Sequence, residues 1–132
     1  MENINIKGTL KTPSIICNSN GHLEITGRSI PENSVQFYLP LLQWLDEYFN
    51  NPQPTTVVDM KLEYFNTSSS KSIYDMFKKL IALKESGHEV LVKWYYESDD
   101  DDMRETGEDY QLMTKLPFEM ISVDELFPGI TG

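Results

Sequence analysis

The first third of the chain alternates between apolar and polar positions with the period of two that is typical of β-strands. Residues 4–10 alternate loosely, residues 14–17 form a β-prone run, and residues 22–26 alternate again. The sequence Asn-Ser-Asn-Gly at residues 18–21 separates the last two runs. Because Asn and Gly tolerate the positive φ of tight turns, the pattern predicts short strands with a hairpin at this point.

Helical spacing begins after a predicted loop at residues 27–32. The sequence Pro-Glu-Asn-Ser at residues 31–34 opens the helix, with Asn33 or Ser34 as its N-cap. Apolar residues then recur at intervals of three and four, which predicts one buried face made of Val35, Tyr38, Leu41, Leu42, Leu45 and Phe49. Pro40 lies inside this pattern without a backbone donor, so we expect it to bend the helix or to shift its start.

The remaining pattern alternates strands with helices. Residues 55–62 are rich in β-branched side chains, which predicts a central strand that runs on through Glu63, Tyr64 and Phe65. A second helix follows, and its apolar stripe is Ile73, Phe77, Leu80 and Ile81. A strong strand occupies residues 89–96, where alternation predicts that Trp94 and Tyr96 point one way and Tyr95 the other.

The end of the chain predicts one more helix and one more strand. Met103, Tyr110 and Met113 are expected to face inward on the helix, which Pro117 ends, and residues 118–123 read as the last strand. Residues 124–132 are expected to form a loose tail. A hairpin followed by alternating helices and strands predicts an α/β domain over residues 1–123, with one mixed sheet and about three helices packed on it.

Composition and charge narrow the class of protein. The 132 residues suit one domain, and 39% hydrophobic content is too high for a disordered chain. A net charge of −10 argues against nucleic acid and anionic membranes as partners. No apolar run reaches the roughly 20 residues that span a bilayer, and the N-terminus lacks the features of a signal peptide, so we expect no membrane insertion and a cytoplasmic location.

The charge is concentrated between residues 97 and 109, which hold eight acidic residues and one basic residue. The run Asp99 to Asp102 fails the calcium-loop pattern, because Arg104 and Tyr110 stand where Gly and Glu are required. We interpret the run as a solvated, acidic helix start, with steering of a basic partner surface as the alternative. Two histidines, His22 and His88, and the single Cys17 give no zinc spacing, so we expect no metal and no cofactor.

The junction between the central strand and the second helix carries four consecutive hydroxyl side chains, Thr67 to Ser70, between Asn66 and Lys71. One interpretation is helix capping, for which a single hydroxyl suffices. The other is phosphate binding, covalent or as part of a ligand, because a helix N-terminus offers free N–H groups and a positive dipole end. Lys71 would pair with that phosphate. The stretch has no glycines, which excludes a Walker loop.

This junction resembles the phosphorylation segment of the SiaC family of bacterial regulatory phosphoproteins. The resemblance rests on Asn66-Thr67-Ser68-Ser69-Ser70-Lys71 after Leu62-Glu63-Tyr64-Phe65, and it covers about residues 4–123. The other matching blocks, in chain order, are Ile6-Lys7-Gly8-Thr9 with Thr12-Pro13, Gly27-Arg28-Ser29, Pro31-Glu32-Asn33-Ser34, Trp94-Tyr95-Tyr96 and Pro117-Phe118. The acidic run and the tail are not part of the matching pattern.

The resemblance implies a fold similar to STAS domains and a non-enzymatic role. It implies that a Ser/Thr kinase of the anti-sigma-factor type phosphorylates Thr67 and that a PP2C-type phosphatase removes the phosphate. The unphosphorylated form is then expected to bind and activate a diguanylate cyclase, which raises cyclic di-GMP and favours biofilm formation. The expected phosphosite surroundings are Asn66, Ser68, Ser69, Ser70 and Lys71. The expected partner-binding residues are Arg28, Ser29, Pro31, Glu32, Asn33, Glu63, Tyr64 and Phe65.

Other functions remain open at this point. The chain is alternatively a regulator of transcription of the anti-sigma-factor-antagonist type, or a constitutive scaffold whose hydroxyls only cap a helix. A small hydrolase or transferase that uses the junction as a phosphate cradle is disfavoured, because the sequence offers no glycine loop, metal set or nucleophile elbow. A Ser next to Thr67 is the alternative site of modification.

Overall fold

A computed structural model describes residues 1–127 and contains six strands and three helices in that range. In chain order the elements are β1 (Ile4–Ile6), β2 (Ser14–Asn18), β3 (His22–Ser29), α1 (Ser34–Tyr48), β4 (Thr55–Phe65), α2 (Thr67–Glu85), β5 (Glu89–Glu97), α3 (Asp101–Thr114) and β6 (Phe118–Val123). None of these helices is both long enough and apolar enough to cross a bilayer.

The six strands form one mixed sheet in the order β1-β2-β3-β4-β5-β6. The first two pairings are antiparallel, and the three that follow are parallel. The predicted hairpin is confirmed: Asn18 pairs with His22, and Gly21 in the turn has a φ of 100°. A side chain at Gly21 would also approach the Thr55 carbonyl to 2.6 Å, so glycine is required there for two reasons.

The parallel half of the sheet needs crossovers, and the three helices supply them. α1 joins β3 to β4, α2 joins β4 to β5, and α3 joins β5 to β6. The predicted α/β class and the central position of β4 are therefore confirmed. In such a sheet the carboxyl ends of β3 and β4 lie side by side, at the edge where the starts of α1 and α2 follow.

One face of the sheet forms the core beneath the helices. Alternate residues of each strand are buried there, among them Leu23, Val58 and Val92, and the lone Cys17 is buried as well. Trp94 is 1% exposed, while Tyr95 lies on the opposite face under the Lys61 ammonium, 4.9 Å from its ring centre. The predicted alternation at the end of β5 is thus confirmed.

Some predicted boundaries are wrong. β1 ends at Ile6 rather than at residue 10, and β3 continues to Ser29 where a loop was predicted. β3 continues because its last residues keep pairing with β4 across an irregularity in register between Gly27 and Arg28. α1 begins at Ser34 with Asn33 as its N-cap, so Pro40 lies within the helix and does not shift its start.

Three residues predicted to be buried are exposed. Val35 is 73% exposed and Phe49 is 42% exposed, because the buried face of α1 is centred on Tyr38, Leu41 and Leu45 instead. Met113 on α3 is 57% exposed, since Met103, Gly107, Tyr110 and Thr114 form the buried stripe of that helix. Thr114 occupies the inward position, where its hydroxyl donates to the Tyr110 carbonyl at 2.7 Å. A pattern of apolar residues does not predict a buried threonine at this position.

The predicted tail at residues 124–132 is described only in part. The Leu126 backbone N–H donates to Glu97 Oε2 at 3.2 Å, so the start of this segment lies against the end of β5. Residues 128–132 lie outside the described part of the chain.

Candidate functional site

Asn66 alone connects the end of β4 to the start of α2. Its side-chain oxygen accepts a hydrogen bond from the Ser69 backbone N–H at 2.9 Å, and its own N–H donates to the Ser29 carbonyl at 3.0 Å. The capping interpretation of the hydroxyl run is therefore wrong in detail: the N-cap is an asparagine, and all four hydroxyls lie inside the helix. An Asn cap is worth about 1 kcal/mol of helix stability, so no hydroxyl is needed for that purpose.

One of the four hydroxyls, that of Ser69, belongs to a buried hydrogen-bond network. Ser69 Oγ is fully buried, accepts from Ser29 Oγ at 2.8 Å and donates to the Ser29 carbonyl at 3.1 Å. Because the Ser29 hydroxyl proton points at Ser69, the Tyr38 hydroxyl at 2.6 Å must be the donor to Ser29 Oγ. This chain of donors joins α1, the end of β3 and the start of α2.

Ser68 makes a second connection between the two helices. Its Oγ lies 2.7 Å from Ser34 Oγ at the start of α1 and donates to the Asn66 side-chain oxygen at 3.2 Å. Burial of Tyr38 raises the pKa of its hydroxyl to about 12, so this group stays a hydrogen-bond donor at every physiological pH. Ser68 and Ser69 are thus structural residues that hold the two helix starts together.

Thr67 differs from these neighbours. It is exposed at the first position of α2, and within residues 1–127 no hydrogen bond engages its hydroxyl. Lys71 is also exposed, one helical turn further along. The structure therefore leaves the Thr67 hydroxyl open to solvent at a helix N-terminus.

A cavity of about 490 Å³ opens beside Thr67, between the start of α2 and the helix α3. Polar or charged side chains and three aromatic rings line it. The lining residues are Phe65, Asn66, Thr67, Ser70, Lys71, Tyr74, Thr106, Asp109, Tyr110 and Met113. The Tyr110 hydroxyl donates to the Ser70 carbonyl at 3.0 Å and so fixes α3 against α2. Burial raises the pKa of Tyr110, which keeps this donor protonated.

The strand ends bring the predicted partner-binding residues to the same edge as Thr67. The register pairs Arg28 with Tyr64 and Ser29 with Phe65. Five of the eight are exposed, namely Arg28, Glu32, Asn33, Glu63 and Tyr64. Phe65 is half-buried against the Trp94 ring. Ser29 and Pro31 are buried, so in this conformation they support their neighbours and offer no surface to a partner.

The acidic run begins at a different place, where β5 ends and α3 starts. Asp100 is the N-cap of α3 and accepts from the Met103 N–H at 3.0 Å, while Asp101 and Asp102 occupy the first turn. Arg104 forms ion pairs with Asp101 and Glu108. These positions confirm the interpretation of the run as a solvated, acidic helix start. The helix dipole favours negative charge there.

Sequence reasoning missed three features of the molecule. Ser34 was predicted only as a possible N-cap and Tyr38 only as part of a buried face, and their hydrogen bonds to Ser68 and Ser29 reveal their connection to the hydroxyl run. Tyr110 was predicted to be buried, without its bond to α2. The third feature lies on the open face of the sheet, where His22, Glu24 and Asp59 converge; no sequence spacing joins residues that meet through strand pairing.

Comparisons with known proteins agree with this architecture. A model of the SiaC family of regulatory phosphoproteins matches residues 6–123. An uncharacterised protein of Pseudomonas aeruginosa strain UCBPP-PA14 is 29% identical over 126 residues, which is 95% of this chain and 100% of that protein. The solved structure of SiaC of Pseudomonas aeruginosa superposes with a TM-score of 0.85 at 27% identity, covering 93% of this chain and 100% of the other.

A second solved structure is a complex of the diguanylate cyclase SiaD with its activator SiaC, also from Pseudomonas aeruginosa. It contains a chain that matches with a TM-score of 0.83 at 28% identity and covers 91% of this chain and 99% of that one. Since the family model spans nearly all of the strands and helices described above, this chain belongs to the SiaC family of regulatory phosphoproteins.

Proposed function

We propose that this protein is a non-catalytic switch that binds and activates an effector, most simply a diguanylate cyclase, and that a phosphate on Thr67 turns this binding off. The observation that carries the proposal is that the four hydroxyls differ in hydrogen bonding and in exposure. Ser68 and Ser69 are hydrogen-bonded within the fold, whereas the hydroxyls of Thr67 and Ser70 have no hydrogen bond within residues 1–127. Of these two residues, Thr67 is exposed and Ser70 is half-buried. We place the protein in the cytoplasm, where the nucleotide substrates of a kinase and a cyclase are found.

The modification itself is a phosphoryl transfer. The Thr67 hydroxyl oxygen attacks the γ-phosphorus of ATP on a kinase of the anti-sigma-factor type, ADP leaves, and the hydroxyl proton passes to a base of the kinase. A PP2C-type phosphatase reverses the change when water attacks the phosphorus and releases inorganic phosphate. The fold tolerates the product, because a phosphate at the first helical position meets the positive end of the dipole, which favours it by roughly 0.3–2 kcal/mol.

Partner binding is the step that the phosphate opposes. Phosphorylation adds about −1.5 to −2 charges beside exposed Tyr64, on the edge that also carries Arg28 and Glu63. A partner that covers this edge would have to desolvate the phosphate, at a cost of several kcal/mol unless it supplies a counter-charge. Since about 1.4 kcal/mol changes affinity tenfold, this cost is sufficient for a switch.

The effector class is inferred from the relatives. SiaC of Pseudomonas aeruginosa is described as the activator of the diguanylate cyclase SiaD, with which it forms a complex. The family membership and the matching fold support a cyclase as the partner here, with cyclic di-GMP as the output and biofilm formation as the response. A role of the purely scaffolding kind is less favoured, because Asn66 and not a hydroxyl caps α2.

The modification is tested by incubating the protein with its kinase and ATP and measuring intact mass. We expect one addition of about 80 Da, the mass of a phosphoryl group, and its loss in Thr67→Ala. Ser70→Ala is the matched control, since Ser70 lies in the same helical turn and lines the same cavity. Labelling that survives Thr67→Ala and disappears in Ser68→Ala or Ser70→Ala would contradict the assignment of Thr67.

A further inference from the structure

The face of the sheet opposite the helices carries a cluster of three metal-ligating side chains. His22 and Glu24 are two residues apart on β3 and therefore point to the same side. Asp59 on β4 is the direct register partner of Glu24, so its side chain joins the pair from the neighbouring strand. One ligand atom from each residue lies within 4.8 Å of the other two. This cluster is on the opposite face of the sheet from the helix α2 that bears Thr67.

Asp59 shows that the cluster is not fully satisfied by protein contacts. It stands in the interior of a central parallel strand, a position where aspartate is disfavoured. Its side chain is only 13% exposed, and His22 Nε2 contacts Oδ2 at 2.8 Å. The other oxygen, Oδ1, is buried and has no hydrogen-bond partner within residues 1–127. A buried carboxylate oxygen without a partner destabilises the fold, and a bound cation would remove that cost.

The lysines near the cluster do not complete it. Lys61 Nζ forms an ion pair with Glu24 Oε1 at 3.6 Å, and the same ammonium lies 4.9 Å above the Tyr95 ring. Lys61 therefore keeps a favourable contact when Glu24 turns to another cation. Lys93 opposes Asp59 in register on β5, but no ion pair joins them in the described part of the chain.

We propose that His22, Glu24 and Asp59 form a binding site for a divalent transition metal of the Zn²⁺ type. One imidazole nitrogen and two carboxylates are ligands that Zn²⁺ accepts, and three protein ligands leave a position for water. Bound at this place, the ion would take over the contact between His22 Nε2 and Asp59 Oδ2, which lie 2.8 Å apart. The ion links β3 to β4 and does not depend on the proposed switch at Thr67.

The test is a calorimetric titration of the whole, metal-free protein with Zn²⁺. We expect one ion per chain and a loss of affinity of about tenfold or more in both Glu24→Gln and His22→Ala. Glu24→Gln is the more informative variant because it keeps the size of the side chain and the His22–Asp59 contact. Zn²⁺ is also expected to raise the melting temperature of the unmodified protein and to raise that of Glu24→Gln much less.

Two control variants separate this site from other metal-binding groups. His88→Ala removes the other histidine, which contacts Ser86 at the turn after α2. Asp101→Asn weakens the acidic run at the start of α3, whose side chains also line a shallow groove. Both are expected to bind Zn²⁺ as the unmodified protein does. The proposal is overturned if Zn²⁺ does not bind at millimolar concentration, if Glu24→Gln and His22→Ala bind it unchanged, or if either control abolishes binding.

Discussion

Three buried hydroxyl groups stabilise the start of α2 through contacts that their residue types do not predict. Ser29, Ser69 and Tyr38 form a buried chain of hydroxyl donors in which every proton has an acceptor. The chain holds the first turn of α2, which begins with the exposed Thr67, against the end of β3. The position of the proposed phosphosite is therefore set by its buried neighbours.

Replacing Ser69 with alanine tests this structural role. Ser69→Ala removes the acceptor of the Ser29 proton inside the core, so the free energy of unfolding should fall by about 1–3 kcal/mol. Ser70→Ala, one residue further on, removes a half-buried hydroxyl outside the network and should stay within about 0.5 kcal/mol of the unmodified protein. Urea unfolding of the two variants measures the difference, and equal stabilities would show that the network contributes nothing.

Alkaline pH provides a second test at this scale. Burial raises the pKa of the Cys17 thiol to about 12 from an ordinary 9.0, and that of Tyr38 to about 12 from 10.0. Both groups stay protonated in the folded protein but ionise in the unfolded chain. Their contribution to stability is complete below about pH 9 and is lost as the pH rises towards 12. The free energy of unfolding should fall between about pH 9 and pH 12, and the fall should be shallower in Tyr38→Phe; a flat profile contradicts the burial effect.

At the scale of whole elements, α3 packs closely against β5 because Gly107 lies at their point of contact. Among the glycines of the described structure, this one leaves the least room for a side chain. A side chain at Gly107 would lie 2.5 Å from Trp94 Cδ1. The indole cannot move away easily, since its N–H donates to the Met103 carbonyl at 3.0 Å and the ring is buried. Gly107 thus sets how close α3 lies to the sheet, and with it the width of the cavity beside Thr67.

Gly107→Ala should therefore destabilise the protein although alanine favours helices. Overpacking typically costs about 1–3 kcal/mol against a gain of about 1 kcal/mol in helix propensity, so we expect a net loss of up to about 2 kcal/mol. Glu105→Ala, on the exposed side of the same helix, should be nearly neutral. Thermal unfolding compares the two variants, and a Gly107→Ala protein as stable as Glu105→Ala would refute the close packing.

Element order followed from the sequence because alternation and helical spacing are local properties. The hairpin at Gly21, the cap at Asn33 and the strand β4 were all predicted from such patterns. The ends of β1 and β3, and the exposure of Val35 and Met113, were not, because they depend on which neighbour each element meets. For the same reason the hydroxyl run was visible in the sequence, but which hydroxyls are hydrogen-bonded within the fold was not. Only the contacts of Ser34 and Tyr38 in the structure show this.

Considered as a whole, the molecule separates its chemistry among different regions. The carboxyl ends of β3 and β4 carry Thr67 and the exposed residues around it, and the opposite face of the sheet carries the His22 cluster. Seven of the ten net negative charges lie between residues 97 and 109, from the end of β5 into α3, where they form the helix cap and a solvated surface. The side chains around Thr67 carry both signs, with Arg28 and Lys71 basic and Glu63 and Asp109 acidic, so a phosphate makes this edge clearly more negative.

The most direct test of the account is the affinity of the protein for its diguanylate cyclase, measured by calorimetry before and after complete phosphorylation by the kinase. We expect the phosphorylated protein to bind at least tenfold more weakly, and Thr67→Ala treated with kinase and ATP to bind as the untreated protein does. Equal affinity of the phosphorylated and unphosphorylated forms would contradict the proposed switch.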